Sequence, residues 1–331
     1  MTEPPQPAYF DSAKRVWILS RYAEVMAALQ HPNLWPVGGG EREIDADSRD
    51  EAGRLKLRSD VLARFSQAHL AEWRPRMERE ASRILESLPV GSPVDLFREF
   101  ALPWGLTLAM SATIADPADR EKLGALSTRV FAATGVAEDS PARSDAAEAT
   151  AELEGIFQHG PVPMGEPTFV ALSQTMPRLL ASCWFALVRH PREYAALRAQ
   201  PDLMPAAVEE LLRYAGIVRR VYRRSTAPVE LGGASIPQGE LVALMLASAN
   251  RDPAQFPDPD RLDVTRAVPS HFSLGYGRNS CVGGNPIRMA VAVATTVLVS
   301  TFATAQLTRQ SNWRTGSGFY FPESVEVILL S

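Results

Sequence analysis

The sequence predicts a mainly α-helical chain with small peripheral β-sheets, a single domain over residues 11–331 behind a disordered lead at residues 1–10. Three observations predict it. Most segments place apolar residues at helical rather than alternating spacing. Stretches that read as strands are short and scattered, too few for a doubly wound α/β layer. Residues 287–307 form a long apolar run without glycine or proline, and a glycine-rich loop holding one of the chain's two cysteines precedes it.

Composition narrows the field. The chain of 331 residues, 46% hydrophobic and 22% charged, suits a globular domain with a sizeable core. A net charge of −4 without a lysine–arginine block argues against a nucleic-acid partner. Two cysteines far apart in sequence suggest no disulfide framework and a reducing compartment. The opening MTEPPQPAYF is acidic and proline-rich rather than basic and apolar, so no signal peptide or anchor is read there. The 287–307 run contains Arg288 with several Thr and Ser, and reads as core helix rather than membrane span. A cytoplasmic bacterial protein is expected.

In chain order, residues 15–20 read as a short strand. Residues 21–30 form an amphipathic helix stopped by His31-Pro32. Residues 33–50, with GGG and many charges, read as a loop. Residues 51–88 hold two helices, the second over 73–88. Helices follow over 103–114, 119–135 and 146–157, the last two joined by the polar segment 138–147. Residues 168–189 are long and apolar but contain Pro177, which deletes a backbone hydrogen bond and bends the helix. A tolerated core bend and a helix opened beside a pocket both fit. Helices over 192–200 and 205–214 lead to strands near 229–231 and 241–246, with turns in GGASIPQG between them. Residues 252–259 are proline-rich coil, and residues 311–331 alternate as strands around Gly316 and Gly318.

The loop HFSLGYGRNSCVGGNPIR, residues 271–288, carries the chemistry. Cys281 lies just before a helix N-terminus, where the dipole and unpaired amides favour a thiolate over a thiol. Gly275, Gly277, Gly283 and Gly284 permit tight turns and let backbone approach something flat and bulky. An inert buried cysteine is the plain alternative. A dinucleotide loop would lack its third glycine, since Ser280 stands there, and no valine-rich strand precedes it. A thiolate ligand to haem iron is the third reading, with the glycines carrying backbone under the porphyrin.

The run LGYGRNSCVG, residues 274–283, resembles the haem-binding signature of the cytochrome P450 family. It departs at Leu274, where the family has Phe, and at neutral Asn279, where a cation usually meets a haem propionate. The resemblance extends over residues 16–327. It implies a cytochrome P450-like haem domain holding haem b, with Cys281 as the axial ligand and Gly275, Arg278, Asn279 and Gly283 in the cofactor-binding loop. Taken alone, Glu210 and Arg213 are a helix-surface pair worth ~0.2–0.5 kcal/mol. In the family such a pair meets an arginine from a Pro-x-Arg-Phe segment, which implies a structural Glu210–Arg213–Arg261 cluster. Arg58, Arg223 and His271 are the implied donors to the haem propionates, and Arg54 stands where the family has His.

The family's central helix usually reads Ala/Gly-Gly-x-Asp/Glu-Thr, an acid and an alcohol that relay protons during oxygen activation. Here the stretch is Ala171-Leu172-Ser173-Gln174-Thr175. Thr175 keeps the hydroxyl, Gln174 cannot release a proton, and Leu172 fills a place normally left empty over the iron. Proton delivery is therefore impaired or comes by another route. Ile217, Arg219 and Arg220 fall in the segment that passes over the haem in relatives. With Leu172 they are candidate substrate contacts, the arginines for a carboxylate, although solvent-facing charges explain the arginines as well. The chain is shorter than is usual, at its N-terminal helix, at 33–50 and between 136 and 167. This implies a trimmed lid, suited to a bulky or carrier-tethered substrate.

The implied function is a monooxygenase that oxidises a small organic molecule in secondary metabolism. It would use dioxygen and electrons from a separate ferredoxin or flavodoxin, since no flavin or nicotinamide motif is present. A carrier protein is a further candidate partner. A peroxide-driven peroxygenase, a one-electron oxidative coupling enzyme and a non-catalytic haem protein are the alternatives.

Overall fold

Apolar runs broken by proline and glycine make a chain of helices, with strands gathered near its ends and after the tenth helix. The computed structural model describes residues 4–37, 51–134, 136, 140–158, 162, 165–267, 270–316 and 318–331, with backbone alone at 51–54. Strands β1 (Tyr9–Asp11) and β2 (Val16–Leu19), helix α1 (Tyr22–Gln30) and strand β3 (Leu34–Val37) open the chain. Helices α2 (Glu51–Arg64) and α3 (Gln67–Glu86), strand β4 (Pro93–Asp95) and helix α4 (Leu102–Thr113) follow. Then come α5 (Arg120–Ala132), α6 (Pro141–Phe157), α7 (Gly165–Val170) and α8 (Met176–Val188). Helices α9 (Pro191–Ala199) and α10 (Met204–Ala215) lead into strands β5 (Val221–Ser225), β6 (Val229–Leu231), β7 (Ala234–Ile236) and β8 (Leu241–Leu244). The short α11 (Leu246–Ala249), the long α12 (Gly284–Thr301) and strands β9 (Thr304–Leu307), β10 (Trp313–Gly316), β11 (Phe319–Pro322) and β12 (Glu326–Leu330) complete it.

Near Pro177 the long apolar helix departs from regular α geometry. A π-turn over Ala171–Thr175 joins α7 to α8 without a break, and Pro177 follows it in the first turn of α8. Gly105 of α4 packs against this turn so closely that a Cβ would lie 2.3 Å from Pro177 Cγ. Trp184, fully buried on α8, donates from Nε1 to Thr295 Oγ1 at 3.0 Å and so ties α8 to α12. Truncating such a side chain to alanine costs ~3–5 kcal/mol.

The largest sheet has the order β1-β2-β8-β5-β3. Its parallel step pairs Trp17 with Val242 and Ile18 with Ala243, joining the start of the chain to its last third. Strands β4, β12 and β9 form a second sheet, and β10–β11 and β6–β7 are hairpins. Among the described residues no helix is long and apolar enough to cross a membrane.

Several expected boundaries move. The lead at residues 1–10 is not disordered throughout, because Tyr9 and Phe10 pair with Ile18 and Trp17 in β1–β2. The loop expected at 33–50 begins with β3; its Pro36 is tolerated because β3 is an edge strand, and residues 38–50 lie outside the described residues. The second of the early helices starts at Gln67, not 73. The polar linker 138–147 is helical from Pro141, where proline at the first turn starts α6. Ion pairs Arg129–Asp145 (2.6 Å) and Lys122–Glu152 (2.8 Å) run α5 and α6 antiparallel, so the stretch between 136 and 167 still carries one helix, α6, packed on α5. The apolar run 287–307 stops as helix at Thr301, and its last residues pair as β9 with β12. Strands β5 and β7 were absent from the expected set: arginines in the first and turn residues around the second mask their alternation.

Candidate functional site

The cysteine loop is held from below by Phe272, fully buried and stacked on Tyr22 at 4.5 Å between ring centres. Its N–H donates to Asn250 Oδ1 (2.7 Å), Asn250 Nδ2 donates to Ser273 Oγ (2.9 Å), and Ser273 Oγ donates to Leu212 O (2.6 Å). Gly216, at the end of α10, leaves the room: a Cβ there would lie 2.2 Å from Ser273 Oγ. The loop then turns through Gly275 (φ 68°) and Gly277 (φ 67°), which no other residue adopts as readily. Cys281 N–H closes the turn by donating to Leu274 O at 2.8 Å.

Cys281 is a free cysteine whose thiol opens into a cavity of about 520 Å³, lined among others by Leu62, Glu209, His271, Leu274, Ser280 and Arg288. Although one side meets solvent, protein atoms crowd it on the others. That crowding raises its pKa, against the pull of the Gly283 N–H and the charges of Arg58 and Arg288. The helix terminus alone therefore does not favour the thiolate, contrary to the expectation from the sequence. Iron, which displaces the proton, would.

Cations converge on the loop. Arg58 Nη2 donates to Ser280 Oγ at 2.9 Å. Arg223 is buried, donates from Nη1 to Tyr222 O at 2.8 Å, and has no partner at Nε. Burial, then the charge of Arg278, pushes its pKa down to about 10. Arg278 itself is exposed, reaches Pro32 O at 3.3 Å and lies over the Trp35 ring. A buried guanidinium with an unmet donor wants an anion. These donors and the free thiol fit a flat dianionic group carrying iron. Asn279 sits in the single turn Gly277–Asn279 beside them, and Gly283 leaves 3.6 Å between a built Cβ and Cys281 Sγ.

His271 is buried and lines the same cavity as Cys281. Its Nδ1 accepts from Ser273 N–H (3.2 Å) and its Nε2 lies 3.3 Å from Glu209 Oε2, near enough to pair yet out of line for a hydrogen bond. Glu209 also takes Arg288 in a two-pronged contact, Nε at 2.6 Å and Nη2 at 3.1 Å. Burial acts to raise the Glu209 pKa, but His271 and Arg288 overcome it and bring it down to about 2. Glu209 and Arg288 escaped the sequence reading; the adjacent pair Glu209-Glu210 was the available signal.

The structural cluster is present with a different third member. Glu210 and Arg213 are fully buried and paired through two bonds, 2.7 and 2.9 Å. The second arginine is Arg266, whose Nε donates to Glu210 Oε1 at 3.2 Å. Arg261 is corrected: its side chain is 64% exposed and pairs with Asp263, and only its carbonyl meets the cluster, accepting from Arg213 and Arg266. Burial of two charges demands that every remaining donor be met; Arg213 Nη1 meets Asn250 O and Pro259 O, and Arg266 meets Pro257 O and Asp258 O.

On the central helix, Gln174 is buried and turned toward α5. Its Nε2 donates to Ser127 Oγ (2.9 Å) and Thr128 Oγ1 (3.3 Å), and its Oε1 accepts from Arg178 Nη1 (3.0 Å). Arg178, also missed from sequence, lies 3.8 Å over the Phe131 ring. Thr175 is half-buried and Leu172 buried in the same π-turn. Ile217 is buried, with its carbonyl accepting from Tyr320 N–H. Arg219 lines a separate cavity of about 640 Å³ with Ser182, Trp313 and Tyr320, its guanidinium over the Tyr320 ring. Arg220 Nε donates to Tyr222 Oη at 2.8 Å. The structure thus gathers Arg58, His271 and the loop around Cys281, and does not bring Arg219 there.

Comparison with known proteins bears on this geometry. A profile of the cytochrome P450 family matches residues 191–324. The chain is 29% identical to cytochrome P450 107B1 of Saccharopolyspora erythraea, over 91% of this chain and 85% of that protein. It is 30% identical to vitamin D(3) 25-hydroxylase of Pseudonocardia autotrophica, over 84% of this chain and 78% of that one. The crystal structure of P450BioI in complex with acyl carrier protein ligated to hexadec-9Z-enoic acid superposes with a TM-score of 0.86. The superposition covers 98% of this chain and 94% of that one, and at 22% identity it shows the fold alone.

Proposed function

The chain belongs to the cytochrome P450 family, whose members bind haem through a cysteine thiolate and act as monooxygenases, and on that premise we propose that Cys281 is the axial ligand. The observation that carries the proposal is the free Cys281 thiol facing a cavity while Arg58 reaches the adjacent Ser280 and Arg223 holds a buried donor without a partner. Haem, when bound, would supply the oxygen-activating chemistry, and Cys281 would hold its iron. The chain's own residues bind and orient. Arg58, Arg223 and His271 would take the propionates, while Gly275, Arg278, Asn279 and Gly283 would form the loop that carries the group. Glu210, Arg213 and Arg266 lock the coil that supports it.

The substrate is a small organic molecule of secondary metabolism. A carrier-tethered one is supported by the fold shared with the acyl-carrier complex. Electrons come from a ferredoxin or flavodoxin in the cytoplasm. The test is the spectrum of the reduced, carbon-monoxide-bound protein, with and without Cys281→Ser. A long-wavelength Soret band lost in the variant supports the ligand; its absence from the native protein rejects it.

A peroxide-driven reaction is the second reading. It is favoured by Gln174, whose amide is engaged by Ser127, Thr128 and Arg178 and has no proton to give. Turnover with hydrogen peroxide alone, at a rate matching that with a reductase system, decides for it.

A further inference from the structure

We propose that Glu209 is a positioning residue for the cysteine ligand: it neutralises Arg288 beneath the loop and so keeps Cys281 a strong electron donor. The inference rests on Cys281 being the iron ligand.

Glu209 and Glu210 are neighbours on α10, about 100° apart around the helix. Glu210 therefore turns into the buried arginine cluster while Glu209 faces α12. Arg288 lies one turn after Gly284, the first residue of α12, and its side chain folds back toward the helix N-terminus, as long helical side chains do. Its Nη1 would stand 3.1 Å from a Cβ built on Gly284. The guanidinium therefore lies over the residues that immediately follow Cys281, and both it and Glu209 line the same cavity as the thiol. The α12 N-terminus is already a positive end. A second, uncompensated positive charge would draw electron density from the sulfur and stabilise the reduced, more negative iron site. The bonds from Arg288 Nε (2.6 Å) and Nη2 (3.1 Å) to the two Glu209 oxygens remove that charge. His271 Nε2, 3.3 Å from Glu209, closes the same carboxylate from the side. Nothing in the Glu210–Arg213–Arg266 cluster needs Glu209, so a purely scaffolding role is already filled by its neighbour.

The experiment is a spectroelectrochemical titration of the haem-loaded, full-length protein, one electron per iron. Glu209→Gln, which keeps shape and loses charge, is expected to raise the ferrous-to-ferric ratio about tenfold at the native midpoint, ~59 mV for one electron. Arg288→Gln, which leaves Glu209 negative, is expected to lower the ratio. The double variant returns toward the native value. A midpoint that is unmoved in Glu209→Gln, or that moves the same way in both single variants, overturns the proposal. Should Glu209→Gln fail to retain haem, Arg288→Gln decides alone, a fall supporting and a rise or no change overturning. The reduced carbon-monoxide spectrum of the native protein separates the two levels. Without a thiolate band the ligand assignment fails and takes this inference with it; with the band and unmoved potentials, only the inference fails.

Discussion

Arg58 of α2 donates a 2.9 Å hydrogen bond to the hydroxyl of Ser280, the residue before Cys281, across 222 positions of sequence. The bond places a cation at the edge of the cysteine loop, where a propionate would compete for it. Arg58→Ala removes both roles, and hydrogen bonds from charged donors contribute ~1.5–3 kcal/mol. We expect haem to dissociate at least tenfold faster, measured by transfer to apomyoglobin, with Arg58→Lys intermediate. Unchanged dissociation would show that Arg58 serves the loop only.

Arg266 holds the place on Glu210 that the motif reading assigns to Arg261. Arg266→Ala strips a bond from fully buried Glu210 and is expected to cost ~1–3 kcal/mol. Arg261→Ala removes an exposed pair with Asp263 and should cost no more than ~0.5 kcal/mol. Urea unfolding of the two variants side by side checks the order, and a larger loss in Arg261→Ala would restore the original assignment.

Gln174→Glu puts a carboxylate where the family keeps its acid, but between Ser127, Thr128 and Arg178. Arg178 Nη1, 3.0 Å from the present Oε1, would hold it ionised and unable to cycle a proton. We expect product formed per electron pair consumed to stay within twofold of the native value. A clear rise in coupling would mean that the side chain leaves α5 to serve the pocket.

The Glu209 pKa of about 2 lies below its ordinary value of 4.5. Folding therefore favours its charged form, and the stability this brings is complete above pH ~4.5 and disappears as pH falls toward 2. Solvent reaches about a third of the side chain, so the contribution is ~1–2 kcal/mol after screening. Glu209→Gln should be less stable than native protein at pH 7 and indistinguishable from it near pH 2, by denaturant unfolding at fixed ionic strength.

The helical frame and the cysteine loop were legible because their signals are local. Spacing marks a helix, and two glycines with positive φ around a cysteine mark a loop that turns sharply. What escaped depends on contacts between distant segments. Arg266 displaced Arg261 because the coil after Pro259 turns so that Arg261 faces water, a path no spacing encodes. The Leu34–Val37 strand was hidden by Pro36, acceptable only at a sheet edge. Glu209 escaped because only the packing of α12 brings Arg288 across to it. Arg178 escaped as well, because the three phenylalanines that enclose it come from other segments.

The parallel pairing of β2 with β8 binds residues 17–19 to 242–244, and Arg58 waits for Ser280. During synthesis the first fifth of the protein consequently leaves the ribosome without its partners. Contacts of such long sequence separation form late and slowly. The iron-binding pocket can mature only after nearly the whole polypeptide has emerged, so haem capture belongs to the end of biogenesis, and a truncated product would be a helical body with no place to load its cofactor.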